Sequence, residues 1–348
     1  MMQFGQIVLV HHLTESPIFL GLLGLSSGIP AILLNPLGGV YADRWDKRRL
    51  VVFTQTITAL LLVCLAILTW LGMVNAWHCL FIAFLVGSVE AFDQSARRAL
   101  FPHLVPRSAL VSAVALNSAI WSGTRMIAPA AAGIIIAVFN PAFAFFAASF
   151  GFALMAYFIY SLKPIPSVAA TRVSPAKEML EGFNFIRRNS PFPFLIVMTF
   201  FNSFFGISYI YLMPVFAIDI LKIGTIGQGW LLSISGVGSL VTTVWLGTAK
   251  TINNKSVLVI GGGIGFGLSI AAFGLTSRFL PSYGIALLLM LVIGLTSSTY
   301  MISIQSSLQL LVPDNMRGRV MGFFGMSWNI LPIGGMQVGT LASFITAP

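Results

Sequence analysis

Among the ionisable residues within apolar stretches of this chain two stand out, and they are the first place to look for chemistry. Arg125 lies near the middle of one stretch, too deep to snorkel easily to its end. Arginine keeps its charge at any relevant pH, so it cannot carry a proton. It can attract an anionic group, hold a partner acid or clamp backbone carbonyls. Glu90 lies about one turn inside the end of another stretch. A carboxyl group there is a candidate proton carrier, or a gate acid for nearby basic residues. Asp93 and Arg97 are spaced for a local ion pair on one helix face. Neutral groups that could line a cavity are Asn117, Asn202, Tyr209, Ser298, Tyr300 and Gln305. Each would equally serve as an interhelical hydrogen bond. Enzymatic chemistry is poorly provided for: His11, His12, His78 and His103 form neither a metal-ligand nor a catalytic spacing. Cys64 and Cys79 sit inside apolar runs, and no phosphate-binding glycine loop with its lysine occurs. No enzyme, metal or cofactor is expected.

The elements that must position these residues follow from composition. Apolar residues make up 57% of the chain and charged ones 8%, against about 25% charged in soluble domains. Only a protein whose outer faces are solvated by lipid can be built this way. Runs long enough to span a bilayer, roughly 20 residues each, fall at 17–41, 50–72, 77–95, 111–138 and 141–162, and again at 192–218, 227–249, 256–277, 282–307 and 318–345. A stub at 3–13 precedes them, too short to span. Dyad alternation is missing, which excludes a β-barrel.

Numbering the stub as helix 1 makes the spans helices 2 to 11. The even-to-odd connections then hold all Lys and Arg except Arg125, Lys222 and Arg278. By the positive-inside rule that side is cytoplasmic, including the long 6–7 connection at 163–189. The net charge of +10 thus reports topology, and no nucleic acid is implied. Within that connection Pro175–Arg188 is patterned as an amphipathic helix with Met179, Leu180, Phe183 and Ile186 on one side, suited to a membrane surface. A faint repeat is also present. Shifted by 208, Gly21, Ser27, Gly28 and Gly39 fall on Gly229, Ser235, Gly236 and Gly247. Shifted by 207, Leu104-Val-Pro106 falls on Leu311-Val-Pro313.

The segment Gly39-Val-Tyr-Ala-Asp43-Arg44-Trp-Asp46-Lys47-Arg48-Arg49 resembles the signature between helices 2 and 3 of the major facilitator superfamily. It departs by Asp46, where glycine is usual, and by Lys47 for arginine. Glu90-Ala-Phe-Asp93-Gln-Ser-Ala-Arg97-Arg98 and Gln309-Leu-Leu-Val-Pro313-Asp314-Asn-Met-Arg317-Gly-Arg319-Val320 are similar to the 4–5 and 10–11 segments of bacterial macrolide and enterobactin exporters. Gly123, Pro129 and Gly133 are similar to the glycine-proline signature of exporters in helix 5, with Ala128 where a glycine usually precedes the proline. Close packing by small residues accounts for them equally well.

The resemblance implies an all-α membrane protein of two six-helix halves that rock about a central cavity. Gly39, Asp43, Arg44, Lys47, Arg48, Glu90, Asp93 and Arg97 would form the gating motif. In the family the aspartate corresponding to Asp43 stabilises the N-terminus of helix 11, and Arg48 would pair with an acid at the end of helix 4. Glu90, Arg125, Asn117, Asn202, Tyr209, Tyr300 and Gln305 are the candidate substrate or coupling residues. The expected organisation is an N-terminal half at 1–162, a cytoplasmic linker at 163–190 and a C-terminal half at 191–348. Helix 1 is represented only in part and helix 12 is missing, so truncation at both ends is expected. The function implied is secondary export of small amphipathic compounds, with the proton as a candidate coupling ion, by a monomer in a bacterial inner membrane. A non-transporting receptor on the same fold and the membrane subunit of another transport system are the alternatives.

Overall fold

The computed structural model describes residues 1–101, 104, 110–162, 175–248 and 255–345. Side chains are described for these except at 36, 39–44, 98–99, 110–115, 118, 119, 122, 175–178, 255, 314–315 and 345. The motif residues Gly39, Asp43 and Arg44 therefore lie outside the described side chains. So do the basic residues Lys163, Arg172 and Lys250 of the connections.

Helices account for almost all of the described chain, with no strand among the described residues. The first set runs α1 (Met2–Thr14), α2 (Pro17–Arg44), α3 (Lys47–Trp70), α4 (Ala76–Leu100), α5 (Leu110–Val138) and α6 (Pro141–Ser161). A short α7 (Pro175–Arg188) leads to α8 (Phe192–Phe201), α9 (Gly224–Thr248), α10 (Lys255–Phe279), α11 (Tyr283–Leu311), α12 (Asp314–Ser327) and α13 (Leu331–Ile345). Among the described residues, eight helices are long and apolar enough to cross a membrane, and Gly123–Val138 is a shorter apolar helix. The remaining expected span, 318–345, is divided between α12 and α13 by a 3-10 turn at Trp328–Ile330. Large apolar side chains such as Phe53, Leu60, Phe150, Ile264 and Leu268 point outward, as lipid solvation allows.

Local chemistry sets the helix starts. Asp46 caps α3, its carboxylate accepting the Arg48 and Arg49 backbone N–H groups at 2.9 and 3.4 Å. This explains an aspartate where the signature usually has glycine: it satisfies orphan donors of the first turn. Asn75 and His78 form a reciprocal capping pair on α4. Asn140 caps α6 with Pro141 in its first turn.

Past α8 the helix continues irregularly, as a π-turn at Asn202–Gly206, a 3-10 turn at Ile207–Leu212 and a second π-turn at Val215–Ile220. Pro214 removes a backbone donor there. The Ser208 hydroxyl donates to the Phe204 carbonyl at 2.6 Å, competing with the backbone ladder. The linker helix is also held by the protein. It docks on α12, with Glu181 paired to Arg319 at 2.7 Å and the Phe183 ring against Phe323. Ile186 is buried while Met179, Leu180 and Phe183 stay exposed.

In the first set α2 packs on α4 and α3 on both α4 and α6; in the second α11 packs on α9 and α10. The two sets meet along α5 with α9 and α2 with α13. Glycine permits each meeting. A Cβ on Gly229 would stand 2.7 Å from the Pro129 carbonyl oxygen, and one on Gly236 would stand 2.7 Å from the Met126 Cα. Across the other seam, a Cβ on Gly21 would stand 2.8 Å from the Met336 Cα. The Ala130 N–H donates to Ser233 Oγ at 3.0 Å across the α5–α9 seam.

Candidate functional site

The close backbone approaches across the α5–α9 seam run from Gly133 against Thr225 to Gly236 against Met126, toward the basic-poor end. Farther along the same two helices, toward the end rich in basic residues, Gly123 and Gly247 have nothing within 4 Å of an added Cβ. At the basic-poor end His11 Nε2 lies 3.2 Å from Asp219 Oδ1, joining α1 to the second π-turn. His11 is buried and Asp219 half-exposed. Nothing in the spacing of these residues, 208 positions apart, foretold the contact. As a polar contact worth about 1 kcal/mol, it should hold that end roughly fivefold more in favour of sealing. Asp219→Ala is thus expected to raise alkylation of Ala31→Cys by an impermeant reagent from that side about fivefold, in a background lacking Cys64 and Cys79.

Below the seal lies a cavity of about 250 Å³. Its polar wall comes from α1 (Gln3, Gln6), α2 (Ser27, Asn35), α4 (Glu90, Gln94), Tyr211 of the 3-10 turn, and Trp328 and Asn329 between α12 and α13. Leu23, Ala31, Ala83, Val86, Leu331 and Pro332 supply the apolar part. Gln3 Nε2 donates to the Tyr211 hydroxyl at 3.2 Å, and Ser95 Oγ donates to Asn35 Oδ1 at 3.3 Å. Gln6 is buried, and its Nε2 has no protein partner.

Of the residues singled out in the sequence, Glu90 is the one that lines this cavity. It is solvent-accessible there, with Gln94 as a hydrogen-bond partner. Asp93 faces away into the packed helices. Its Oδ1 accepts Thr54 Oγ1 at 2.8 Å and Gln55 Nε2 at 2.9 Å, and its Oδ2 lies 2.6 Å from Arg97 Nε. Arg48 does not reach these acids in this arrangement. It donates to the Tyr160 carbonyl at 2.9 Å and lies over the Tyr160 ring, 5.4 Å from its centroid. Lys47 is partly exposed in the first turn of α3.

Arg125 is exposed on α5, within electrostatic reach of Tyr209, whose hydroxyl hydrogen-bonds Ser235. The 3-10 turn therefore presents Tyr209 toward Arg125 and Tyr211 to the Glu90 cavity. Other candidates are absorbed by packing. Tyr300 donates to the Met198 carbonyl at 2.7 Å, Asn202 Nδ2 reaches Met301 Sδ at 3.3 Å, and Ser298 bonds Ser239 at 2.6 Å. Asn117 and Gln305 are exposed and stand apart from the cavity lining. The reading from sequence missed Gln3, Gln6, Tyr211, Trp328 and Asn329. One signal was available: Gln3 and Gln6 share a face, one turn apart, in an otherwise apolar stub.

A family model described as transmembrane secretion effector, within the major facilitator superfamily, matches residues 1–348. The chain belongs to this family. It is a major facilitator transporter, not an enzyme, and its fold is the one the helix 2–3 signature implied. Among curated relatives, the staphyloferrin A transporter of Staphylococcus aureus is 25% identical over 339 residues, covering 94% of this chain and 82% of that one. Macrolide efflux protein A of Streptococcus pyogenes is 25% identical over 341 residues, with the same coverage of 94% and 82%. Among solved structures, a bacterial homologue of the human lysosomal transporter Spinster, inward-facing and unoccupied, superposes with a TM-score of 0.76. It is 13% identical and covers 98% of this transporter and 80% of that chain. The nucleoside transporter NupG gives a TM-score of 0.71 at 16% identity, covering 98% of this transporter and 89% of that chain.

Proposed function

We propose that this transporter exports small amphipathic compounds across a bacterial plasma membrane by alternating access, as a monomer, with the proton as coupling ion. The observation that carries this reading is a polar cavity lined by both helix sets, with their close backbone approaches toward one end, which we read as the sealed end, the other being the open one. Efflux and siderophore transport in the names of its relatives support the substrate type. With the basic connections on the cytoplasmic side, the open end faces the cytoplasm and the arrangement is inward-facing. Asp43, with Gly39, Arg44, Lys47 and Arg48, forms the opposite gate. That gate closes only when the transporter faces outward, in keeping with Arg48 resting on Tyr160 here. Arg125 is the second functional charge, an anchor for an anionic or hydrogen-bond-accepting group beside Tyr209.

The test is energy-dependent efflux of a panel of hydrophobic drugs and siderophores from cells lacking their own pumps. Efflux is expected from the wild type. Arg125→Ala should lower it about tenfold, the effect of losing roughly 1.4 kcal/mol of binding, at equal membrane levels. Asp43→Asn should reduce turnover of every substrate alike. Absence of efflux for the whole panel, with the protein well inserted, would refute the reading.

A further inference from the structure

We propose that the Glu90 cavity takes an organic monocation carrying an oxygen acceptor, with the ammonium group at Glu90 and the oxygen at the Gln6 amide. This specifies the ligand class of the export site proposed above and rests on that reading. The first argument is charge. Among the described lining residues Glu90 is the sole charged side chain. The nearby Arg97 is engaged by Asp93 at 2.6 Å, and Arg125 is not part of the lining. Glu90 has an amide neighbour, Gln94, and forms no ion pair among the described residues, the attraction of the nearby Arg97 being opposed by the Asp93 that pairs with it. A carboxylate at membrane depth without a counter-ion is costly, and a cationic ligand supplies one. An anionic ligand would meet uncompensated repulsion there.

The second argument is hydrogen bonding, and it is independent of the first. The cavity amides are neutral and several are already engaged: Gln3 with Tyr211, Asn35 with Ser95 and Gln94 with Glu90. Gln6 differs, being 5% exposed and lining the cavity with a buried Nε2 that lacks a partner. A buried donor left unpaired is expensive, and a carbonyl, ether or hydroxyl oxygen on the ligand would satisfy it. Trp328 and Tyr211 add aromatic walls of the kind that favour cations. The cavity volume of about 250 Å³ is just under the usual range for drug-sized ligands, about 300–1,000 Å³. It encloses the polar head of such a molecule while the apolar remainder extends toward the open end.

The experiment measures binding by the purified chain in detergent, read by tryptophan fluorescence and by calorimetry. The probes are verapamil, a protonated amine with ether oxygens; tetraphenylphosphonium, a cation without oxygen; and fluorescein as an anion. The wild type is expected to bind verapamil most tightly and fluorescein least. Glu90→Gln, nearly isosteric, should weaken both cations about tenfold or more, the scale of one charged contact. Gln6→Leu should weaken verapamil about threefold and leave tetraphenylphosphonium unchanged, a selectivity that misfolding cannot mimic. Preference for fluorescein, or cation binding unaltered in Glu90→Gln, would overturn the proposal. If wild-type cells expel anionic or neutral compounds but no cation, the exporter reading stands and this ligand class falls. If cations bind as expected but no compound is moved, the ligand class stands and the exporter reading falls.

Discussion

Gly229→Val is expected to abolish the closed seal and with it most transport. The added Cβ would stand 2.7 Å from the Pro129 carbonyl oxygen and 3.1 Å from the Ala130 Cα. Both are backbone atoms of the facing helix, so neither can swing aside as a side-chain tip would. Overpacking of this kind costs about 1–3 kcal/mol. Here it falls on one arrangement only, because the obstruction vanishes once α5 and α9 separate. The sealed population should therefore drop by roughly 5- to 150-fold relative to the open one. Alkylation of Ala31→Cys from the Asp219 side should rise by a similar factor while efflux falls. Gly247→Val provides the control. It lies on the same helix with nothing within 4 Å, so it should leave both readouts near wild type. Equal loss in the two variants would assign the effect to helix folding instead of the seam.

Asp93→Ala should be the most destabilising single side-chain truncation among the motif residues. Asp93 is buried and holds α3 to α4 through Thr54 and Gln55 while pairing with Arg97 on its own helix. Removing the carboxylate strands the buried Gln55 amide and leaves Arg97 without its counter-ion, while the Thr54 hydroxyl can still donate to the Val51 carbonyl at 2.9 Å. Breaking a fully buried pair costs about 3–5 kcal/mol, but the Arg97 side chain is 41% exposed and water recovers part of that. A loss of roughly 2–4 kcal/mol is expected. Thermal aggregation in detergent, followed by size-exclusion chromatography, would read it as a clear drop in melting temperature. Asp93→Asn keeps acceptors for Thr54 and Gln55 and should lose less than half as much. An Asp93→Ala protein as stable as wild type would show that the cluster contributes nothing net. Selective loss of transport at unchanged stability would reassign Asp93 to gating.

The faint repeat acquires a physical meaning once the seams are seen. Gly21 and Gly28 lie against Met336 and Pro332, while their counterparts Gly229 and Gly236 lie against Pro129 and Met126. Likewise, a Cβ on Gly87 would run into the Ser27 carbonyl, and one on Gly294 into the Ser235 carbonyl. Gly21, Gly229, Gly236, Gly87 and Gly294 thus stand where two helices touch backbone to backbone, whereas Gly28 meets the Pro332 ring and Gly247 has nothing within 4 Å. Glycine at these points has no substitute of its own size, which is why the pattern survives in a sequence whose halves otherwise differ.

What the sequence determined by itself is what depends on local composition. Spans were legible because partition into lipid is a property of some twenty consecutive side chains. The caps at Asp46, Asn75 and Asn140 are as local, since a cap needs only its own first turn, although from sequence Asp46 stood out only as a departure from the signature. The family was legible because its signature is contiguous. Tertiary structure alone decided which face of each helix looks inward. In a soluble protein the polar stripe of an amphipathic helix answers that question. Here lipid and core are equally apolar, so the stripe is missing and which of Glu90, Arg125, Tyr300 and Asn202 face a cavity was not legible from sequence. Packing then sorted them: Tyr300 and Asn202 went to interhelical bonds, Glu90 to a cavity wall completed by Gln6, Tyr211 and Asn329, and Arg125 to Tyr209. The His11–Asp219 contact shows the same limit, for only folding brings residues so distant in sequence to 3.2 Å.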